Sequence, residues 1–172
     1  MRGIAATIAV LALAACTYPE EEPNDGRPGL PSLATDQSKP QLALMDHVLG
    51  NYFASDIPNR PTVCVSANDG RNEEALAQED ELALIQRYEA LAPFSRCALI
   101  DNGWRDAETE EPAMLYILHG FTCSDDSSCS GFVSYMAGKV SSPTNLYRMD
   151  YSEGSWSFAR DDRLIAGDGE AR

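Results

Sequence analysis

The chain reads as an α+β domain: two N-terminal helices packed on one face of a mostly antiparallel sheet of about four to five strands. Three observations carry that reading. Apolar residues recur at helical spacing in the first half, at Leu42, Met45, Val48, Leu49, Tyr52 and Phe53 and again at Leu76, Ala77, Leu84, Tyr88 and Leu91. In the second half the side chains alternate with a period of two, Tyr147, Met149 and Tyr151 against Leu146, Arg148 and Asp150. Helical patterns first and strand patterns after them place helices against one side of an antiparallel meander.

The elements follow in order. Residues 41–54 form the first helix, and the segment 56–61, with Pro58 and Pro61, ends it. His47 falls opposite the apolar stripe and is expected in solvent. Thr62 to Ala67 is a short strand, and Asn68-Asp69-Gly70 is a turn. Asn72 caps a second helix whose first turn holds Glu73 and Glu74, where the helix dipole favours acids, and Pro93 closes it near Ala92. Asp80 and Glu81 lie by its apolar face. Neighbouring helix positions diverge by about 100°, so these two do not face each other as a glycosidase carboxylate pair must, and they belong at the rim of the core. Cys97 to Ile100 is a short apolar run, and 101–112 is an acidic loop carrying Trp104. Strands are expected over 113–123, 131–140, 145–151 and 155–160, with Ser152-Glu153-Gly154 as a hairpin turn.

The folded part spans 41–166 as a single disulfide-stabilised domain, followed by a flexible tail, 167–172. Before it, residues 16–40 hold Pro19, Pro23, Pro28, Pro31 and Pro40, the run Glu20-Glu21-Glu22, and few large apolar side chains. Such composition cannot bury enough surface to offset ordering entropy, so it is expected to be a disordered tether. Its prolines make it extended, and at about 3 Å per residue it reaches up to about 70 Å.

Residues 1–15 have the form of a secretory signal: Arg2, then an apolar run from Ile4 to Leu13, then small residues. That run is too short to span a bilayer, which needs about 20 apolar residues. Leu13-Ala14-Ala15-Cys16 resembles the lipobox of bacterial lipoproteins. In that family the signal is cut before the cysteine, whose sulfur and new amine carry fatty acyl chains. The resemblance implies that Cys16 is the lipidated first residue of the mature protein and its membrane anchor. Two or more acyl chains anchor stably where one does not. In that family Asp after the cysteine retains the protein at the inner membrane. Thr17 stands there instead, so the outer membrane of a bacterial envelope is the favoured location. The competing reading is an ordinary signal peptide cut after Ala15, which leaves a free thiol in an oxidising compartment.

Four further cysteines, Cys64, Cys97, Cys123 and Cys129, form an even set, which in an exported chain suggests disulfides. Of the three pairings, Cys123–Cys129 and Cys64–Cys97 are favoured. The first staples a hairpin across Ser124-Asp125-Asp126-Ser127-Ser128, and the second ties the first strand to the segment after the second helix. Loop-closure entropy assigns about 2 kcal/mol to the short loop and about 4 to the long one. No two of these cysteines have the close spacing of a zinc knuckle, and Asp125-Asp126 lacks the alternating oxygens and glycine turn of a calcium loop, so no metal is expected.

The chain has 13 basic and 27 acidic residues, a net −14, and loss of residues 1–15 removes only one basic residue. Nucleic acid needs clustered Lys and Arg, so it is excluded as a partner, and so is electrostatic docking on anionic lipid. A cationic protein partner fits this charge. Of the two histidines, His119 lies in a predicted strand, and it serves as a general base only beside a nucleophile or carboxylate in a cleft. His119, Trp104 and Tyr135 are the candidates for lining a pocket. Trp104, Tyr116, Tyr135, Tyr147, Tyr151 and Trp156 either line a concave sheet or form core. No Gly-x-Ser-x-Gly elbow, phosphate-binding glycine loop or His-Glu-x-x-His helix occurs, and no catalytic residue or cofactor is assigned.

The helices followed by a meander ending in Tyr147 and Gly154-Ser155-Trp156 resemble secreted NTF2-like or cystatin-like α+β domains. That resemblance implies a cone between helices and sheet that holds a ligand or a small hydrolase site. The favoured expectation is non-catalytic: a lipid-anchored envelope protein presenting an acidic domain to a protein partner, one version being an inhibitor of a basic secreted enzyme.

Overall fold

The computed structural model describes residues 30–68 and 72–161. Residues 1–15, Cys16, most of the expected tether, Asp69-Gly70 of the expected turn and the tail 167–172 lie outside them. Among the described residues the fold is α+β, with two α-helices and a mostly antiparallel sheet. Helix α1 (Pro40–Ala54) starts on a proline whose fixed φ suits the first helical position, and it ends where Ser55 N–H bonds Tyr52 O at 3.2 Å. It is covered on nearly every side: Leu42, Ala43, Leu44, Met45, Asp46, Val48 and Leu49 are all buried.

The main sheet has seven strands in the order β2 (Glu73–Glu74), β1 (Thr62–Asn68), β5 (Ala113–Asp125), β6 (Ser128–Ala137), β8 (Asn145–Ser152) and β9 (Ser155–Asp161), with β7 (Val140–Ser141) pairing β6. Only β1 and β5 run parallel. A separate hairpin, β3 (Cys97–Ile100) and β4 (Gly103–Asp106), makes a second sheet. The four to five strands expected from the sequence are therefore too few. Two-residue strands such as β2 and β7 carry no period to detect, and the segment read as an acidic loop contains β4.

The sheet is buried on both sides along its middle. One face, with Val63, Val65, Tyr116, Leu118, Val133, Tyr147, Met149 and Trp156, shares a core with α1 and with Leu84 and Tyr88 at the second helix, α2 (Gln78–Arg87). The other face, with Cys64, Ala113, Leu115 and Ile117, packs against Ala92, Cys97 and Trp104 from the connection and the hairpin. The unbroken apolar run Ala113 to Leu118 reflects that double burial, as it does in parallel sheets. Beyond His119 a bulge intervenes: three steps along β5 match two along β6. Gly120 supplies the left-handed turn at φ 56°, and Phe121 is turned onto the helix-side core. Gly131 makes room for it, since a Cβ there would lie 2.8 Å from Phe121 Cδ2.

Helix α2 is shorter than its pattern predicts. Glu73 and Glu74 pair with Asn68 and Ala67 as strand β2 instead of forming a first turn, and the N-cap of α2 is Ala77, not Asn72. At the other end Tyr88 is extended, and Leu91 and Ala92 run beside Val63, with Ala92 N–H bonding Val63 O at 2.8 Å. Edge bonding to β1 overrides helix propensity at both ends.

The folded part also begins earlier than residue 41. A 3-10 turn covers Leu33–Thr35, and side chains from three places, with one of its own, hold this stretch. Tyr151 Oη donates to Thr35 O at 3.0 Å, Trp156 Nε1 to Asp36 O at 3.2 Å, and Arg87 to Pro31 O, while Gln37 Nε2 donates to Asp126 O at 2.9 Å. Residues 30–40 are thus part of the domain, not of a tether.

Candidate functional site

An open cleft of about 530 Å3 lies on the sheet face away from the helices, lined by Asn68, Glu73, Ile117, His119, Gly120 and Ser134. Strand register builds its floor. Glu73, Asn68, His119 and Phe132 sit directly opposite one another on β2, β1, β5 and β6, so their side chains share one face. Ile117 and Ser134 form the next row. The His119 ring stacks on Phe132 with centroids 5.5 Å apart, and burial lowers its pKa, so the imidazole is neutral near pH 7. Asn68 Nδ2 donates to Glu73 Oε1 at 3.4 Å. Among the described residues no hydroxyl or carboxylate hydrogen-bonds His119, so the cleft is a hydrogen-bonding surface of imidazole, amide, carboxylate and hydroxyl rather than an assembled acid–base pair.

The other two pocket candidates lie elsewhere. Trp104 is on β4, buried near Phe94 at 6.2 Å in the second core, because its strand packs against the sheet. Tyr135 is on the helix face, its ring 5.5 Å from that of Tyr116, and the residue is partly exposed. Tyr116, Tyr147 and Trp156 are core, and Tyr151 packs on Trp156. Among the described residues the volume between helices and sheet is filled by Leu44, Met45, Leu49, Leu118 and Met149, which leave no cone there.

His47 is half-buried rather than fully in solvent. It stacks on Phe158 at 4.3 Å and meets Tyr147 edge-on at 6.1 Å, because β8 and β9 lie under the side of α1 that the pattern left bare. Burial lowers its pKa. Asp80 binds Lys39 at 2.8 Å, and Glu81 accepts the Phe94 N–H at 2.7 Å, so the two acids point to different partners. Asp125 caps the β5–β6 turn through Ser127 N–H and Oγ, both at 2.8 Å. Among the described residues no group of three or more His, Cys, Asp and Glu is placed to hold a metal ion, and no helix is long and apolar enough to cross a membrane.

The disulfides are Cys64–Cys97 and Cys123–Cys129. The first joins β1 to the base of the β3–β4 hairpin inside the second core. The second bridges directly opposed residues of β5 and β6.

Two buried charge clusters escaped the sequence reading, because the partners are far apart in the chain. Asp46 on α1 takes Arg87 Nε at 3.3 Å and Tyr88 Oη at 2.8 Å. Asp106 on β4 takes Thr62 Oγ1 at 2.5 Å, Arg96 Nη2 at 2.9 Å and the Glu108 N–H at 2.9 Å. The Arg96 guanidinium, then the Thr62 hydroxyl, hold the Asp106 carboxyl well below the usual carboxylate range. A signal existed for the hairpin that Asp106 anchors. Asp101-Asn102-Gly103 is hairpin-turn sequence, and Asp101 and Asn102 take φ 51° and 60°, as a type I′ turn requires.

Comparison of the chain with protein-family models, curated proteins and solved structures found no match.

Proposed function

We propose that this chain is a non-catalytic bacterial envelope lipoprotein, anchored in the outer membrane through lipidated Cys16, that presents an acidic domain to a cationic protein partner, in one form as an inhibitor of a basic secreted enzyme. The observation that carries the reading is the cysteine balance. The sequence has five cysteines, and Cys64, Cys97, Cys123 and Cys129 are consumed by two disulfides. The remaining one is Cys16, the residue that follows Leu13-Ala14-Ala15. Disulfides belong to oxidising compartments, where a signal-bearing chain is delivered. The net charge of −14 supports the choice of partner, because complementary charge speeds encounter and rejects like-charged proteins.

Intact mass of the membrane-extracted protein, with and without reduction, tests the reading. The expected mass is that of a chain beginning at Cys16 with acyl groups, gaining four hydrogens on reduction. Retention of residues 1–15, or four free thiols in the domain, overturns it. For the inhibitor form, association with the basic enzyme is expected to slow steeply as salt rises.

A further inference from the structure

The β3–β4 hairpin is a pinned arm with a bare outer edge. Its base is fixed three ways: by Cys64–Cys97, by the contacts of buried Asp106 with Thr62 and Arg96, and by the Ala107 N–H on Arg96 O at 2.7 Å. Its inner strand, β4, is seated by buried Trp104, whose N–H bonds Gly138 O at 2.9 Å. The outer strand, β3, pairs only with β4 among the described residues. Natural edge strands are guarded by Lys, Pro, a bulge or a covering loop. Cys97-Ala98-Leu99-Ile100 contains none of these, and its last two side chains, on opposite faces of the strand, are 61% and 38% exposed. Val140, beyond β4, is 68% exposed; it and Leu99 are the two most exposed large apolar side chains among the described residues.

The surroundings are anionic. Segment 96–111 holds five carboxylates and two guanidiniums, and of the carboxylates only Asp106 is buried. Asp101, Glu108, Glu110 and Glu111 are exposed, with Lys139 the exposed cation beside Gly103. A second copy of so acidic a chain is repelled from this edge, whereas a cationic strand is drawn to it.

We infer that β3 is a docking strand for an extended segment of a protein partner whose apolar residues are flanked by Lys or Arg. The segment adds to β3 through backbone hydrogen bonds, lays its apolar side chains on Leu99 and Ile100, and sets its cations against Asp101, at the end of β3, and Glu108. This rests on the reading of the domain as a partner-presenting module, and it names the surface and the chemistry of the partner.

The probe is a synthetic peptide, Lys-Lys-Val-Thr-Val-Lys-Lys, titrated into the full chain in zwitterionic bicelles and followed by amide NMR. The expected result is shifts centred on Leu99 and Ile100 and an affinity that falls as salt rises. Leu99→Asp is expected to weaken binding at least about tenfold, as loss of a central apolar anchor does. Leu82→Asp, also at an exposed leucine, is expected to leave it unchanged. The same peptide N-methylated at alternate amides should not bind, which decides the matter even if Leu99→Asp does not fold. Absence of shifts in Cys97–Ile100, or binding indifferent to N-methylation, overturns the inference. Shifts there that depend on protein concentration without peptide also overturn it, since the edge then pairs with a second copy. The mass measurement on Cys16 is independent of this titration, so failure of the anchor and failure of the docking strand are read separately.

Discussion

Strand β5 has a buried half and an exposed half. Ala113 to Leu118 runs through the middle of the domain with helix-side core on one face and the hairpin on the other, and all of it but Met114 is buried. His119 to Asp125 continues the same strand past the Gly120 bulge into a largely exposed ribbon with β6. The first half is held by apolar burial. The second has little apolar surface to bury and is held by a disulfide between directly opposed residues, Cys123 and Cys129. One strand thus shows how a disulfide extends a rigid element beyond the core.

Substitutions along β5 sharpen that contrast. Leu118→Ala empties a fully buried site and is expected to cost about 3–5 kcal/mol in denaturant unfolding. Thr122→Ala, four residues on and exposed, is expected to stay within about 0.5 kcal/mol. Equal losses at the two sites contradict the division. The disulfides differ in the same direction. Replacing Cys64 and Cys97 by Ala opens a link with a sequence separation of 33, worth up to about 4 kcal/mol by chain entropy. Replacing Cys123 and Cys129 opens one of 6, worth about 2, and is expected to loosen the ribbon more than the core.

The acid limb of stability is a smaller effect and belongs to the inner region. The Asp106 carboxyl is held low by Arg96 and Thr62, so its contribution is complete above the unfolded carboxylate value of about 4 and is lost as pH falls below it. Asp106→Asn should flatten that limb in an unfolding series from pH 5 downward. The smallest effect expected is that of His47. Burial lowers its pKa, so the unfolded chain takes up the proton first, and stability declines as pH falls through the unfolded value of about 6.5. His47→Phe keeps the stack on Phe158 and should remove most of that slope between pH 7 and 5. An undiminished slope assigns the proton elsewhere, with His119, also lowered by burial, the next candidate.

What was legible in the sequence was local. Helix α1 and the β8–β9 hairpin follow from spacing and from a Glu153-Gly154 turn at φ 55° and 86°. The disulfide partners followed from which cysteines flank neighbouring elements. What was not legible depends on residues distant in the chain. The parallel pairing of β1 with β5 spans more than forty intervening residues, so no local period announces it. The length of α2 was overestimated because Glu73, Glu74 and Leu91 have helical character that pairing along β1 overrides. His47 was misplaced because one apolar stripe marks one buried side, and α1 has several. Of the pocket candidates only His119 reaches the cleft, through a register with Asn68 and Phe132 that only the assembled sheet defines.

Native-state hydrogen exchange along β5, before and after reduction of Cys123–Cys129, tests the division most directly. The account predicts that the amides of residues 114–118 exchange only with global unfolding in both states. Those of residues 122–125 are protected in the oxidised protein and exchange by local opening once the bridge is reduced. Loss of protection at both ends on reduction, or unchanged protection at 122–125, would contradict it.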